Sequence, residues 1–256
     1  MKKLVAWMLV AVSVTHPMTP VAAQQPTTVR IRVVSHDAKI VGSGVGGARV
    51  YVKNAATGEV LVEGIQEGGT GNTTAIVVQP VPRGKAIYDT EGAAVFTAEL
   101  ELAEPTVLEF VGEGPLGFEH AIQRTTKTML VVPGQDVLGD GVVLELHGFI
   151  VEMLEPATQT DIGNEVQIKA RVRMMCGCPL EPGGLWDAGR VRVSANFYYE
   201  GSLVKQQFLE YGGEPNIFVG TLSLGEVPKG ASLLIVAADP TRANFGSSAS
   251  VTLPRF

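Results

Sequence analysis

Both cysteines of this chain fall in one short run, Met174-Met175-Cys176-Gly177-Cys178-Pro179. Two thiols and two thioethers so close together form a soft donor set, which suits Cu(I) and other thiophilic ions better than hard cations. Three chemistries are open to it. A Cys176–Cys178 disulfide would close a small ring, strained by its size and therefore reducible and redox-active. A copper site would use Cys176 and Cys178 with Met174 or Met175, completed by another chain or domain. In the third, Met174 and Cys176 fill a core while Cys178 enters a local or intermolecular disulfide. The spacing is neither Cys-x-x-Cys nor Cys-x-x-Cys-His, so neither the thioredoxin mechanism nor covalent haem is implied.

Beyond this run, Glu181-Pro182-Gly183-Gly184-Leu185-Trp186-Asp187 is a polar loop carrying Trp186; the other tryptophan is Trp7. An indole there either caps a core or serves as a recognition surface. Asp187, Asp239 and Asn244 offer hard oxygens for calcium, but no Asp-x-Asp-x-Asp-Gly spacing joins them, and turn chemistry accounts for them. Ser35-His36-Asp37 is a sequence neighbourhood at a strand end rather than a triad. His147 alternates outward with Glu145, and His120 follows Phe118-Glu119 in a loop. Gly42-Ser43-Gly44-Val45-Gly46-Gly47 has the letters of a dinucleotide loop, but a strand follows it instead of the helix that would bind pyrophosphate. No His-Glu-x-x-His, Gly-x-Ser-x-Gly or P-loop occurs. The expectation is a protein without catalytic residues and without a resident cofactor, copper entering only through the cysteine run.

The elements that must position these residues read as strands. Val29, Ile31 and Val33 alternate with Arg30 and Arg32, and turn clusters such as Thr57-Gly58, Pro82-Arg83-Gly84 and Asp89-Thr90-Glu91-Gly92 separate the apolar runs beyond them. Strands are predicted near 28–35, 47–54, 58–63, 74–80, 94–102, 106–111, 127–132 and 141–153. A boundary falls at Glu155-Pro156-Ala157-Thr158. A second series then begins, with Val166, Ile168, Ala170, Val172 and Met174 on one face and Gln167, Lys169, Arg171 and Arg173 on the other. That alternation puts Cys176 on the apolar face and Met175 outward. Val191, Val193, Ala195 and Phe197 repeat the pattern, and strands near 203–210, 217–224, 231–238 and 247–253 complete it. Short strands at such spacing are the signature of sandwiches and barrels. The prediction is an all-β protein of two consecutive β-sandwich domains, residues 24–154 and 155–256, the second immunoglobulin-like.

Composition supports this and excludes other classes. Hydrophobic residues make up 45% of the chain, enough to build cores, and the formal net charge of −6 argues against a nucleic-acid partner. Lys2 and Lys3, the apolar run Leu4–Val14 and the small residues Val21-Ala22-Ala23 read as a signal peptide, residues 1–23, cleaved after Ala23. The apolar run is short of the ~20 residues that span a bilayer, so no transmembrane segment is expected in the mature chain. Losing Lys2 and Lys3 would take the charge from −6 to −8. Such a leader implies export to the periplasm or beyond.

In the first half, Gly47-Ala48-Arg49-Val50-Tyr51-Val52, Thr57-Gly58 and Asp89-Thr90-Glu91-Gly92-Ala93-Ala94-Val95-Phe96 resemble the carboxypeptidase-regulatory-like (transthyretin-like) family. The resemblance spans roughly 28–112, with 64–88 as an insertion, and implies an extracytoplasmic accessory or adhesion-type module. Intradiol dioxygenases share that architecture but need two Tyr and two His on iron, and Tyr51, Tyr88, His36, His120 and His147 do not match their spacing. Val236-Ala237-Ala238-Asp239-Pro240-Thr241-Arg242-Ala243-Asn244-Phe245-Gly246 looks like the late turn of bacterial immunoglobulin-like domains. Together these lead to a non-enzymatic, exported cell-envelope binding or assembly module with a protein or envelope partner. The alternative is a copper or thiol-redox accessory protein.

Overall fold

The computed structural model describes residues 26–155 and 165–252. The expected signal peptide at 1–23, residues 156–158 of the expected boundary and the last four residues lie outside the described residues. The fold is all-β, as the period-two pattern predicts.

Among the described residues, seven strands build the first unit: β1 (Thr27–Ser35), β2 (Ala48–Asn54), β3 (Val60–Gln66), β4 (Phe96–Leu100), β5 (Thr106–Gly114), β6 (Gln123–Val131) and β7 (Val137–Leu146). They form a three-stranded sheet, β4-β1-β7, and a four-stranded sheet, β3-β2-β5-β6. Alternate residues of each strand face a common core: Val29, Ile31 and Val33 of β1, Leu144 and Leu146 of β7, Val50 and Val52 of β2, Leu108 and Phe110 of β5. Each such side chain removed from water contributes roughly 1.5–3 kcal/mol. Gln66, fully buried, links the end of β3 to β1. Its amide oxygen accepts the Val33 N–H at 2.7 Å, and its nitrogen donates to the carbonyls of Val33 and Val41.

The other face of β1, which carries Arg30 and Arg32, is covered by segment 67–95, and Arg32 is only 1% exposed. Asp89 accepts from the guanidinium groups of both Arg30 and Arg32. Asp140 in turn accepts from the backbone N–H groups of Ile87, Tyr88 and Asp89, which pins the covering segment down. Within it, the strand predicted near 74–80 is a helical turn, Thr74–Val78. The β-branched residues find no sheet edge there, and the Asn72 side chain captures the Ala75 N–H, which starts the turn. Ile76 packs on a small cluster with Val34, Ile40 and Tyr88.

The second unit contains β8 (Phe149–Glu155), β9 (Glu165–Met174), β10 (Arg192–Tyr199), β11 (Ser202–Tyr211), β12 (Ile217–Ser223), β13 (Ser232–Asp239), β14 (Asn244–Ser247) and β15 (Val251–Thr252). Its hydrogen-bonded order is β14-β13-β10-β11-β12-β9-β8, with β15 on β13. The path folds over on itself at β11, whose first residues pair with β10 and whose last two, Glu210 and Tyr211, pair with β12. Val166, Ile168, Ala170 and Val172 of β9 thus face Val193, Ala195 and Phe197 of β10 across one core.

Sheet membership changes at His147-Gly148, inside the strand predicted at 141–153. β7 stays with β1, whereas β8 pairs with β9. β8 is a shared wall: Ile150 packs in the first core, Phe149 and Val151 in the second.

Candidate functional site

The cysteine run sits where the two units meet. β9 ends at Met174, and a tight turn closes with the Gly177 N–H on the Met174 carbonyl at 2.8 Å and the Met174 N–H on the Cys178 carbonyl at 3.1 Å. Cys176 and Cys178 are joined as a disulfide, at 4% and 6% exposure. Met174 enters the second core, as expected. Met175 does not face solvent: it is 0% exposed and belongs to the first core beside Ile150. The alternation was right about the face and wrong about its surroundings, because the first unit lies against that face. Of the four sulfur atoms assigned to copper, two are therefore bonded to each other and two lie in different cores. Gly177, at φ +79°, packs against the other unit; a Cβ there would lie 2.9 Å from Val45 Cγ1.

Beside this turn the seam opens into a cleft of about 330 Å³. Phe149, Met174, Leu180 and Trp186 give it an apolar floor, and Asp37, Arg190 and Arg242 stand on its rim. Trp186 is 9% exposed and caps the second core, while its neighbour Leu185 is 56% exposed. The indole N–H donates to the Asp37 carbonyl at 2.9 Å, tying the loop to the turn after β1. Asp37 itself takes the left-handed conformation, φ 51°, which a short polar side chain tolerates. Arg242 pairs with Asp37 of the first unit and with Asp239 of its own, so one guanidinium bridges both.

The three residues weighed for calcium all line this cleft. An oxygen of each is taken by N–H donors, which for Asp187 and Asp239 is local turn chemistry. Asp187 accepts from Gly183 and Gly189, and these two backbone bonds, Gly183 first, hold its carboxyl below the usual carboxylate range. Asp239 accepts from Thr241 and Arg242. Burial pushes its carboxyl up, but the Thr241 hydroxyl and the Arg242 guanidinium outweigh that and leave it below the usual range. Asn244 accepts the Gly148 N–H across the seam.

Other contacts lock the same junction. His120 Nε2 lies 2.8 Å from the Val151 carbonyl, and the Arg173 guanidinium sits 4.9 Å above the Phe118 ring while pairing with Glu152. Gly42–Gly47 forms a single turn, Ser43–Val45, that runs into β2. No helix among the described residues is long and apolar enough to cross a membrane.

The structure also assembles a group whose members lie far apart in the sequence: His36, Glu145 and His147. Glu145-x-His147 on one strand face was a visible signal. That His36 joins them depends on the parallel pairing of β1 with β7, between strands about a hundred positions apart in the chain. No family model matches the chain, and no curated protein matches it, so the chemistry of this seam is what points to a function.

Proposed function

We propose that the chain is an exported, non-enzymatic binding module of the cell envelope, made of a carboxypeptidase-regulatory-like sandwich followed by an immunoglobulin-like one. The observation that carries this is the cleft at the seam. The second unit lines it apart from Asp37 of the first, and the exposed Leu185 beside the Arg190 guanidinium suits a protein segment that offers an apolar side chain next to a carboxylate. The exposed Leu185 would be the first apolar contact, Trp186 the floor beneath it, and Arg190 the partner of the anionic group.

A photo-crosslinking residue at Leu185 tests this in the exporting cell, with the same residue at Glu226 as the remote control. One envelope protein captured from Leu185, not from Glu226, and lost with Arg190→Glu is the expected result. Labelling that is absent, or equal at both positions, overturns it.

A second reading is favoured by one observation, the bonded state of Cys176 and Cys178. As a thiol-redox accessory protein, the chain would cycle this pair against an external dithiol. Mass spectrometry with alkylation before and after a mild dithiol treatment decides this, and metal analysis of the reduced protein decides the copper variant. A pair that stays closed while the fold is intact, and binds no copper when opened, removes both.

A further inference from the structure

β1 and β7 run parallel, with Val34 opposite Glu145 and Ser35 opposite Leu146. The ladder continues one step further, where the His36 N–H donates to the Leu146 carbonyl at 2.8 Å. Side chains two apart on a strand share a face. His36 therefore follows Val34 on the face away from the core, and His147 follows Glu145 onto the same face. The two imidazoles stack, with centroids 3.9 Å apart and planes inclined by 17°. Each ring offers one nitrogen to the same carboxylate: His36 Nδ1 is 2.9 Å from Glu145 Oε1, and His147 Nε2 is 4.0 Å from Oε2.

A second observation orients His147. Its Nδ1 lies 3.2 Å from the carbonyl of Ala243, in the turn before β14. A carbonyl only accepts, so Nδ1 carries the hydrogen, and in the neutral ring the lone pair is on Nε2, the side of Glu145. A histidine held through one nitrogen by a backbone carbonyl, with the other nitrogen turned toward further donors, is the arrangement that supports a metal-bound imidazole.

We propose that His36, Glu145 and His147 bind a divalent transition-metal ion of the zinc class. One donor atom from each residue lies within 4.8 Å of the other two. Two imidazole nitrogens and one carboxylate oxygen suit Zn(II), Ni(II) or Cu(II); all-oxygen shells suit calcium and magnesium, and sulfur suits Cu(I). Three protein ligands leave a coordination position for water or for a donor from a partner. The ligands are half-buried or exposed, so the ion can enter from solvent. Because the turn that orients His147 belongs to the second unit, a bound ion would tie both units together. This site is separate from the cleft and does not depend on it.

Untagged full-length protein, stripped with a chelator and titrated with zinc chloride in a calorimeter, tests the proposal. One ion per chain with micromolar affinity and a raised melting temperature is expected, with no heat from calcium or magnesium chloride. Cobalt(II) should give visible ligand-field bands. His36→Ala and His147→Ala, each shown by circular dichroism to be folded, should weaken zinc by at least about tenfold. A Cys176→Ser, Cys178→Ser double variant should bind zinc unchanged. Absence of zinc binding, or unchanged binding when both histidines are replaced, overturns the proposal.

Discussion

The Trp186 indole donates its N–H to the backbone carbonyl of Asp37, 149 positions earlier in the chain, and this bond closes the seam between the two sandwiches on one side. The same Asp37 uses its carboxylate to hold Arg242. One turn residue thus anchors two side chains of the second unit, and the cleft takes its shape from that.

Replacing Trp186 should accordingly cost more than a surface change. Trp186→Ala removes a ring packed in the core and leaves the Asp37 carbonyl without its donor, an expected loss of about 3–5 kcal/mol. Trp186→Phe keeps much of the apolar contact and loses the hydrogen bond, an expected cost of about 1 kcal/mol beyond the change in packing. Urea denaturation followed by circular dichroism measures both. A Trp186→Phe variant as stable as the parent would show that the hydrogen bond contributes nothing.

Gly177 and Gly183 share the left-handed region but not their surroundings. A Cβ at Gly183 meets nothing within 4 Å, whereas at Gly177 it would press on Val45 of the other unit. Gly183→Ala should therefore cost only the backbone strain, about 1 kcal/mol, and Gly177→Ala should cost clearly more. Melting temperatures of the pair isolate the contact across the seam.

Acid should selectively remove the contribution of Asp239. Its carboxyl is depressed in the folded chain, so the stabilisation is present above the unfolded value, about 3.9, and is lost as the pH falls through the folded value. Asp239→Asn should be less stable than the parent at pH 7, and the difference should shrink below about pH 4. A difference that stays constant with pH would assign the effect to shape rather than charge.

Gln66→Leu replaces a buried amide by an apolar group of similar size. It strands the Val33 N–H, which sits 2.7 Å from the Gln66 oxygen, for an expected cost of about 3 kcal/mol. Denaturant midpoints check it, and a neutral outcome would mean that β1 re-pairs.

Strand alternation was legible wherever one face meets a core and the other meets water. Val166 through Met174 follow that contrast, whereas in β10 both faces are buried and Ser194 and Asn196, opposite Val193, Ala195 and Phe197, satisfy each other by hydrogen bonding. Alternation carries no information about a third layer: Arg32, between Ile31 and Val33, lies under segment 67–95, with Asp89 as its countercharge. Residues 74–80 had strand-like side chains but no edge to pair with. His147-Gly148 looked like the middle of a strand, and it is where the chain passes from one unit to the other.

The sequence by itself determined the all-β class, the inward faces of β1, β9 and β10, and the place where both cysteines gather, because period-two burial and composition are local properties. The tertiary structure alone decided that Met175 is buried in the other unit, that Trp186 reaches Asp37, and that His36 joins Glu145 and His147. Those relationships come from strands and turns paired across long stretches of chain, and no local spacing encodes which distant edge a strand will meet.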